Sequence, residues 1–408
     1  MNRLPFHAPG QKLDAMTVIT GAQGVAHAIR QIDPDVFPVY PITPQTPIIQ
    51  TLSQFVADGL CHTHVLDVES EHSAMSAAIG AALAGVRTMT ATASQGLALM
   101  VEVIYLAASM RAPIVTAVGN RALSGPINIH GDHSDAMLAR DSGAVQLFVE
   151  NAEEAYHFTI IATRVAEDPR VLLPVMVGLD GFTITHSAEP VALLPDERVR
   201  AFVGPYSYPY PLLGPEVGTY GPFAMPDSYF ECKRQQIAAL ENGLEVFEQV
   251  SAAFADLAGR HYLAVEPYRL AGAQAALVMM GSHCGTAKDV VDGLRSQGLP
   301  VGLLQIRLYR PFPREMVGRL LADIPQVAVL DKASSPGTLP PLFLDVAASV
   351  SHPRQLVSVI YGLGGRDVPA ADLAGLYHGL LEQRLPQATP WYLKGRPAWD
   401  EEDEPWPT

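Results

Sequence analysis

Glu69–Gly85 reads ESEHSAMSAAIGAALAG, a helical pattern of Ala, Gly, Ser and Ile with Glu71 in its first turn. Such small side chains let a helix pack very close to its neighbours, which draws a carboxylate at its start into a buried setting. Glu71 is then either a cap-turn acid favoured by the helix dipole or a site carboxylate at a strand end. Thirty residues earlier, Tyr40–Ile48 reads YPITPQTPI. Pro41, Pro44 and Pro47 each fix φ and remove a donor, so Thr43 sits on a rigid turn. One hydroxyl on a rigid loop suits substrate positioning; the plainer alternative is Thr43 or Thr46 capping the next helix. Thr90–Met100, TATASQGLALM, sets the turn Ser94-Gln95-Gly96 after a strand. Small residues there let a flat ring or another backbone approach closely, though they serve helix–sheet packing equally well. Asn120-Arg121 opens a long loop to Gly131. An Arg at a strand's carboxyl end suits bidentate capture of a carboxylate, or pairs with a structural acid. Within His130–Asp135, HGDHSD, two His and two Asp resemble metal ligands, but no distant third ligand accompanies them. Asp132 or Ser134 capping a helix is the favoured reading, and no metal ligand is assigned.

These residues need elements that bring them to one edge. From Met16 to about Gly181, β-rich runs alternate with Ala-rich helical stretches. Strands are expected at Thr17–Thr20, Val36–Tyr40, His64–Val68, Arg87–Ala91, Ile114–Val118, Val145–Val149 and Val171–Val177. Helices are expected at Gln23–Gln31, Pro47–Ala57, Ser70–Ala84, Leu97–Ser109 and Glu153–Ala166. Buried strands flanked by helices imply an α/β, doubly wound, mostly parallel sheet, whose carboxyl-end loops hold ligands. Pro205–Phe230, rich in Pro, Gly and Tyr, cannot be a helix or central strand. It reads as an extended arm packed on its own domain or on a partner. A helix follows over Glu231–Gly259. From near Ala273 a smaller α/β unit of four or five strands begins, with strands at Ala275–Met280, Val301–Ile306, Val327–Leu330 and Leu356–Ile360. The expected domains are 1–262 and 263–408.

Composition removes several classes. The 408 residues carry 42 acids against 27 bases, a net of −15, and no dense Lys/Arg cluster, so nucleic acid is not expected as a partner. The opening MNRLPFHAPGQKLDAM lacks a leader's apolar stretch, and no later run has the length of a membrane span. The five acids Asp400–Glu404 read as a solvated tail. Cys61, Cys232 and Cys284 are scattered, which fits a reducing cytoplasm and cannot supply a four-cysteine iron–sulfur cluster. There is no GxGxxG after the first strand; Gly362-Leu363-Gly364-Gly365 does not match it, and neither a P-loop nor a GxSxG elbow occurs.

Taken together, YPITPQTPI, VESEHSAMSAAIGAA, TATASQGLALM, NRALSGPINIHGDHSD, LLPVMVGLDGF, MGSHCGTAKDVVDGL, QIRLYRPFP and YGLGGRDV resemble, in order, the α subunit of the 2-oxoacid:ferredoxin oxidoreductases, pyruvate:ferredoxin type in particular. The resemblance implies the pyrimidine-binding half of a thiamine-diphosphate fold, followed by a transketolase C-terminal-like domain. It further implies a β subunit holding the diphosphate and Mg²⁺, with 4Fe–4S clusters on partner chains of γ and δ type. The implied reaction is oxidative decarboxylation of pyruvate, with coenzyme A taking the acyl group and ferredoxin the electrons. Carried over by position, Glu71 resembles the glutamate on the aminopyrimidine N1′, with Glu69 as its competitor. The resemblance likewise implies that Ser94, Gln95 and Gly96 line the same cofactor site, that Thr43 is the substrate-contacting threonine and that Arg121 is the arginine for the substrate carboxylate. The alternatives are the same machinery acting on 2-oxoglutarate or a branched 2-oxoacid, and a non-catalytic scaffold. A self-contained transketolase-like enzyme needs a GDG diphosphate motif, which this chain lacks; it has only Gly131-Asp132-His133.

Overall fold

The structure is a computed structural model that describes residues 16–215, 218–350, 355–385 and 390–394. The acidic run Asp400–Glu404 and most of the opening segment lie outside the described residues. The chain begins β1 (Met16–Thr20), α1 (Gly21–Ile32), β2 (Val36–Val39), α2 (Thr46–Ala57), β3 (His64–Asp67), α3 (Glu71–Ala84) and β4 (Thr88–Thr92). It continues through α4 (Ser94–Ser109), β5 (Ile114–Asn120), α5 (Ser134–Leu138), β6 (Val145–Phe148), α6 (Ala152–Glu167) and β7 (Val175–Asp180). Next come β8 (Ala188–Ala192), α7 (Asp196–Val203), α8 (Tyr229–Ala258), β9 (Val265–Tyr268), β10 (Ala275–Met279), α9 (His283–Ser296) and β11 (Val301–Ile306). The last elements are β12 (Leu308–Arg310), α10 (Arg314–Leu321), β13 (Gln326–Asp331), α11 (Pro341–Ala347), β14 (Gln355–Ile360), α12 (Ala370–Leu381) and β15 (Trp391–Tyr392).

The principal sheet has seven strands in the order β12-β6-β7-β5-β4-β2-β3, parallel except for β12. Every residue of β4, β5, β6 and β7 is buried, as a sheet covered on both faces requires. One face carries α1 and α6, with the α8 rings Phe247 and Phe254 in the same apolar cluster. The other carries α3 and α4, where Ala74, Ala78 and Ala82 meet Leu97, Met100 and Ile104. A capping box starts α1: Thr20 Oγ1 accepts from the Gln23 amide, and Gln23 Oε1 accepts from the Thr20 amide. The second sheet has six strands, β15-β14-β13-β10-β11-β9, with only β9 antiparallel. Two parallel α/β sheets are what the alternation of runs implied.

Three placements differ from the sequence expectation. The Thr17–Thr20 strand stays out of the main sheet and pairs with β8 in a two-stranded antiparallel ribbon. The seventh place in the main sheet goes to β12, three residues from the second half of the chain. A run so short, leading straight into Pro311, gives no alternating pattern to recognise. The second sheet gains β9 and β15, making six strands in place of four or five. The described residues of the arm form no helix or strand before Tyr229, where α8 begins two residues earlier than expected. Its Tyr208 is buried against the cluster of α3 and α4, and the Leu212 amide bonds to the Leu83 carbonyl at 2.7 Å. Its first part therefore packs on its own sheet layer, while Leu213 and Phe223 further along are exposed.

Buried charge joins the two sheets. Asp180, at the end of β7, accepts from His133 at 2.6 Å and from Lys332 at 2.8 Å, and the Ser282 amide and hydroxyl complete its shell. Burial alone would raise this carboxyl, but the Lys332 ammonium and His133 outweigh it and hold the group well below its ordinary value. Nearby, the fully buried Arg307 bonds Glu154 at 2.8 Å and also pairs with Glu266. Removing one partner of such a pair strands the other charge. We expect Lys332→Met to cost about 3–5 kcal/mol at pH 7, read by urea unfolding. Because the folded carboxyl is depressed, its contribution is present above its ordinary 3.8 and fades as pH falls below that value. The acid loss should therefore be smaller in the variant than in the wild type.

Candidate functional site

The parallel strands β2, β3, β4 and β5 end at one edge, and the loops after them carry Thr43, Glu71, Ser94–Gly96 and Arg121. After β3, Ser70 caps α3 by accepting from the Ser73 amide at 3.2 Å. This cap separates the two candidate carboxylates. Glu69 is exposed and accepts from the Ser73 hydroxyl at 2.7 Å. Glu71 points inward at 7% exposure and makes no hydrogen bond or ion pair among the described residues.

Glu71 lies against the start of α4. A Cβ placed on Gly96 would come within 2.6 Å of both Glu71 Oε1 and Thr92 Oγ1. Only glycine allows that approach. Thr92 Oγ1 is itself buried with no hydrogen-bond partner. A hydroxyl buried without a partner beside a mostly buried carboxylate costs free energy unless something else satisfies it. That vacancy of partners fits the aminopyrimidine of thiamine diphosphate, whose ring nitrogens and amino group offer complementary donors and acceptors.

Ser94-Gln95-Gly96 is not a turn ahead of the helix but its first turn, since α4 starts at Ser94. Ser94 has φ of +47°, a left-handed backbone that a non-glycine residue adopts only when held. Asp135 holds it. Its carboxylate is fully buried and accepts four N–H groups: Ser94 at 2.9 Å, Arg121 at 3.0 Å, the Asn120 side chain at 2.9 Å and Ala136 at 2.7 Å. Burial pushes its pKa up to about 6 against the pull of those donors. The Ser94 hydroxyl turns away from Glu71, reaching the Ala122 carbonyl or Gln95 Oε1, each at 2.7 Å. At Gly96 the backbone comes so close to Glu71 that a Cβ would collide with its carboxylate.

Thr43 is exposed on its proline-braced turn. Neither Thr43 nor Thr46 caps α2, whose N-cap position is Gln45 with no side-chain cap bond. The Thr43 carbonyl instead accepts from Arg121 Nη1 at 3.1 Å, so the two expected substrate contacts are neighbours. Arg121 Nε donates to the Asn128 carbonyl at 2.9 Å, while Nη2 has no partner among the described residues. Arg121 finds no structural acid for its guanidinium, and that end can meet a carboxylate.

Within HGDHSD the side chains are engaged elsewhere. Asp132 Oδ1 accepts from the Ser134 amide at 2.9 Å in a local turn, but the N-cap position of α5 is His133 with no side-chain cap bond, so neither Asp132 nor Ser134 caps it as expected, and His133 bonds Asp180. Among the described residues no group of three or more His, Cys, Asp or Glu side chains is arranged for a metal. Asp135 is the functional residue that the sequence left undistinguished. Its one signal was a second acid in a segment where the first bonds locally to Ser134. No described helix is long and apolar enough to cross a membrane.

Comparison with known proteins gives the family. The family profile described as pyruvate flavodoxin/ferredoxin oxidoreductase, thiamine diphosphate-binding, matches residues 27–252. That for pyruvate:ferredoxin oxidoreductase core domain II matches residues 273–373. Pyruvate synthase subunit PorA of Thermotoga maritima is 54% identical over 86% of this chain and 90% of its own. The protein of that name from Methanocaldococcus jannaschii is 48% identical over 87% and 92%. Ketoisovalerate oxidoreductase subunit VorA of Pyrococcus abyssi is 35% identical over 92% and 97%. In fold, 2-oxoglutarate:ferredoxin oxidoreductase from Magnetococcus marinus superimposes with a TM-score of 0.74 at 20% identity. That likeness covers 91% of this chain and 66% of the other. A split-gene transketolase gives 0.53 at 14% identity, over 90% and 99%.

Asp135→Asn turns an amide NH₂ toward N–H donors and leaves some of them unpaired in a dry site. We expect a loss of about 2–4 kcal/mol in thermal or urea unfolding.

Proposed function

The chain belongs to the pyruvate flavodoxin/ferredoxin oxidoreductase family, and from that we propose that it is the α subunit of a pyruvate:ferredoxin oxidoreductase. The complex oxidatively decarboxylates pyruvate to acetyl-CoA and CO₂, with electrons passing to ferredoxin. The observation that carries the reading is the Glu71 carboxylate, buried and unpaired beside Gly96 and the orphaned Thr92 hydroxyl.

When bound, thiamine diphosphate supplies the carbon nucleophile that adds to the 2-keto carbon and takes up the electrons released by decarboxylation. Glu71 holds the aminopyrimidine at N1′ through its carboxylate, the hydrogen-bonding group that its place at the start of α3 turns inward. Gly96 leaves room for that contact. Arg121 receives the substrate carboxylate on its open Nη2 side, and the Thr43 hydroxyl, on a braced turn, orients the rest of the 2-oxoacid. In this reading the β subunit holds the diphosphate and Mg²⁺, and γ- and δ-type chains carry the 4Fe–4S clusters. Three scattered cysteines on this chain support that division of labour. They also favour a reducing cytoplasmic setting. We place the boundary between the two domains at residues 262 and 263, in the gap between the two family matches. The decline in identity from 54% to 35% between the pyruvate synthase and ketoisovalerate relatives favours pyruvate over a branched 2-oxoacid.

In the assembled complex, Glu71→Ala should lower turnover by about 10²–10⁴-fold, the range of a lost acid–base contribution. Turnover equal to that of the wild type would leave this chain a scaffold.

A further inference from the structure

The glycine turn after β14, which matches no nucleotide-binding pattern, sits on the loop that carries Arg121. Gly362, Gly364 and Gly365 have φ of +62°, +58° and +79°. A Cβ on Gly364 would fall 2.4 Å from Asn128 Nδ2, and one on Gly365 would fall 2.4 Å from His130 Cβ. Both the backbone conformation and the closeness of approach therefore require glycine. The contact is made by hydrogen bonds at two places. Asn128 Nδ2 donates to the Gly364 carbonyl at 2.9 Å, and the Gly364 amide donates to Asp132 Oδ2 at 3.1 Å.

Asn128 is the centre of this contact. Its Oδ1 accepts from the His130 amide at 2.7 Å, which folds the loop back on itself, and the Ala122 amide closes it by donating to the His130 carbonyl at 3.0 Å. Its main-chain carbonyl accepts from Arg121 Nε at 2.9 Å, and Arg121 Nη1 goes on to the Thr43 carbonyl. A continuous series of hydrogen bonds thus runs from the second sheet to the guanidinium: Gly364 carbonyl, Asn128 side chain, Asn128 carbonyl, Arg121, Thr43. The guanidinium's orientation is fixed by two main-chain carbonyls and no acid, so it depends on where those carbonyls are held.

We propose that Asn128, clasped by the Gly362–Gly365 turn, is a positioning residue that aims Arg121 at the carboxylate of the 2-oxoacid. This rests on the assignment of Arg121 to substrate binding. The second domain thereby acts on substrate affinity without touching substrate. The hydrogen bonds of the Asn128 side chain and carbonyl go to Gly364, His130 and Arg121 and to none of Glu71, Thr92 and Gly96, so cofactor binding should be insensitive to it.

The test uses the assembled holoenzyme with Asn128→Ala, Asn128→Asp, Arg121→Ala and the Arg121→Ala/Asn128→Ala double variant. KM for pyruvate, kcat and thiamine diphosphate affinity are measured for each. Asn128→Ala should raise KM about tenfold, roughly one lost hydrogen-bond contribution, with kcat and cofactor affinity within about twofold of wild type. Added to Arg121→Ala, it should raise KM no further, because the residue it orients is gone. Asn128→Asp keeps the acceptor for His130 and loses the donor to Gly364; it should raise KM likewise, and it carries the test if the alanine variant fails to fold. An unchanged KM in the Asn128 variants, with a raised KM in Arg121→Ala, overturns the clasp and leaves the Arg121 assignment standing. An unchanged KM in Arg121→Ala overturns the assignment and the clasp with it. Equal losses in KM, kcat and cofactor affinity, or full additivity in the double variant, reduce Asn128 to a general structural residue.

Discussion

Four N–H donors from three segments converge on one buried carboxylate, and the geometry of the site follows from it. Asp135 takes the amides of Ser94, Arg121 and Ala136 and the side chain of Asn120. It thereby ties the start of α4 to the end of β5. Together with the bond from the Ser94 hydroxyl to the Ala122 carbonyl, it holds Ser94 at positive φ and so sets the first turn of α4, which brings Gly96 against Glu71. The same carboxylate anchors the backbone from which Arg121 reaches Thr43. Hydrogen bonds to a charged acceptor contribute about 1.5–3 kcal/mol each. Here they fix the backbone of two segments, the start of α4 that lies against Glu71 and the end of β5 that carries Arg121.

The two sheets depend on one another through buried charge. Asp180 with Lys332 and His133, and Arg307 with Glu154 and Glu266, lie where the halves meet. Such clusters add little net stability compared with apolar packing, yet they tolerate few alternative arrangements because each charge needs its partner. Strand β12 crosses over as well and closes the edge of the principal sheet beside β6. The second half is thus part of the structural frame around the site.

Much of this was legible from residue types. The parallel sheets followed from buried β-rich runs separated by Ala-rich helices, and the proline-braced Thr43 turn and the small-residue helix behind Glu71 were visible as motifs. What escaped detection depended on distant partners. β1 has the composition of a sheet strand, but its hydrogen-bonding partner is β8, and no local pattern records that. β12 is too short to show periodicity. Ser94 looked like part of a turn because small polar residues also open helices, and the acceptor for its amide lies forty-one residues on. Asp132 and Asp135 are alike in sequence. Asp132 makes the local bond to Ser134 that its spacing suggests, whereas Asp135 gathers donors from two other segments.

The central claim is that this chain presents one half of a thiamine diphosphate site: the carboxylate for the pyrimidine, with the diphosphate held by another subunit. Calorimetric titration of thiamine diphosphate with Mg²⁺ into the isolated chain, and into the assembled complex, tests it most directly. The account predicts saturable binding by the complex and none by the isolated chain over the same concentrations. Binding by the isolated chain with the affinity of the complex would contradict it.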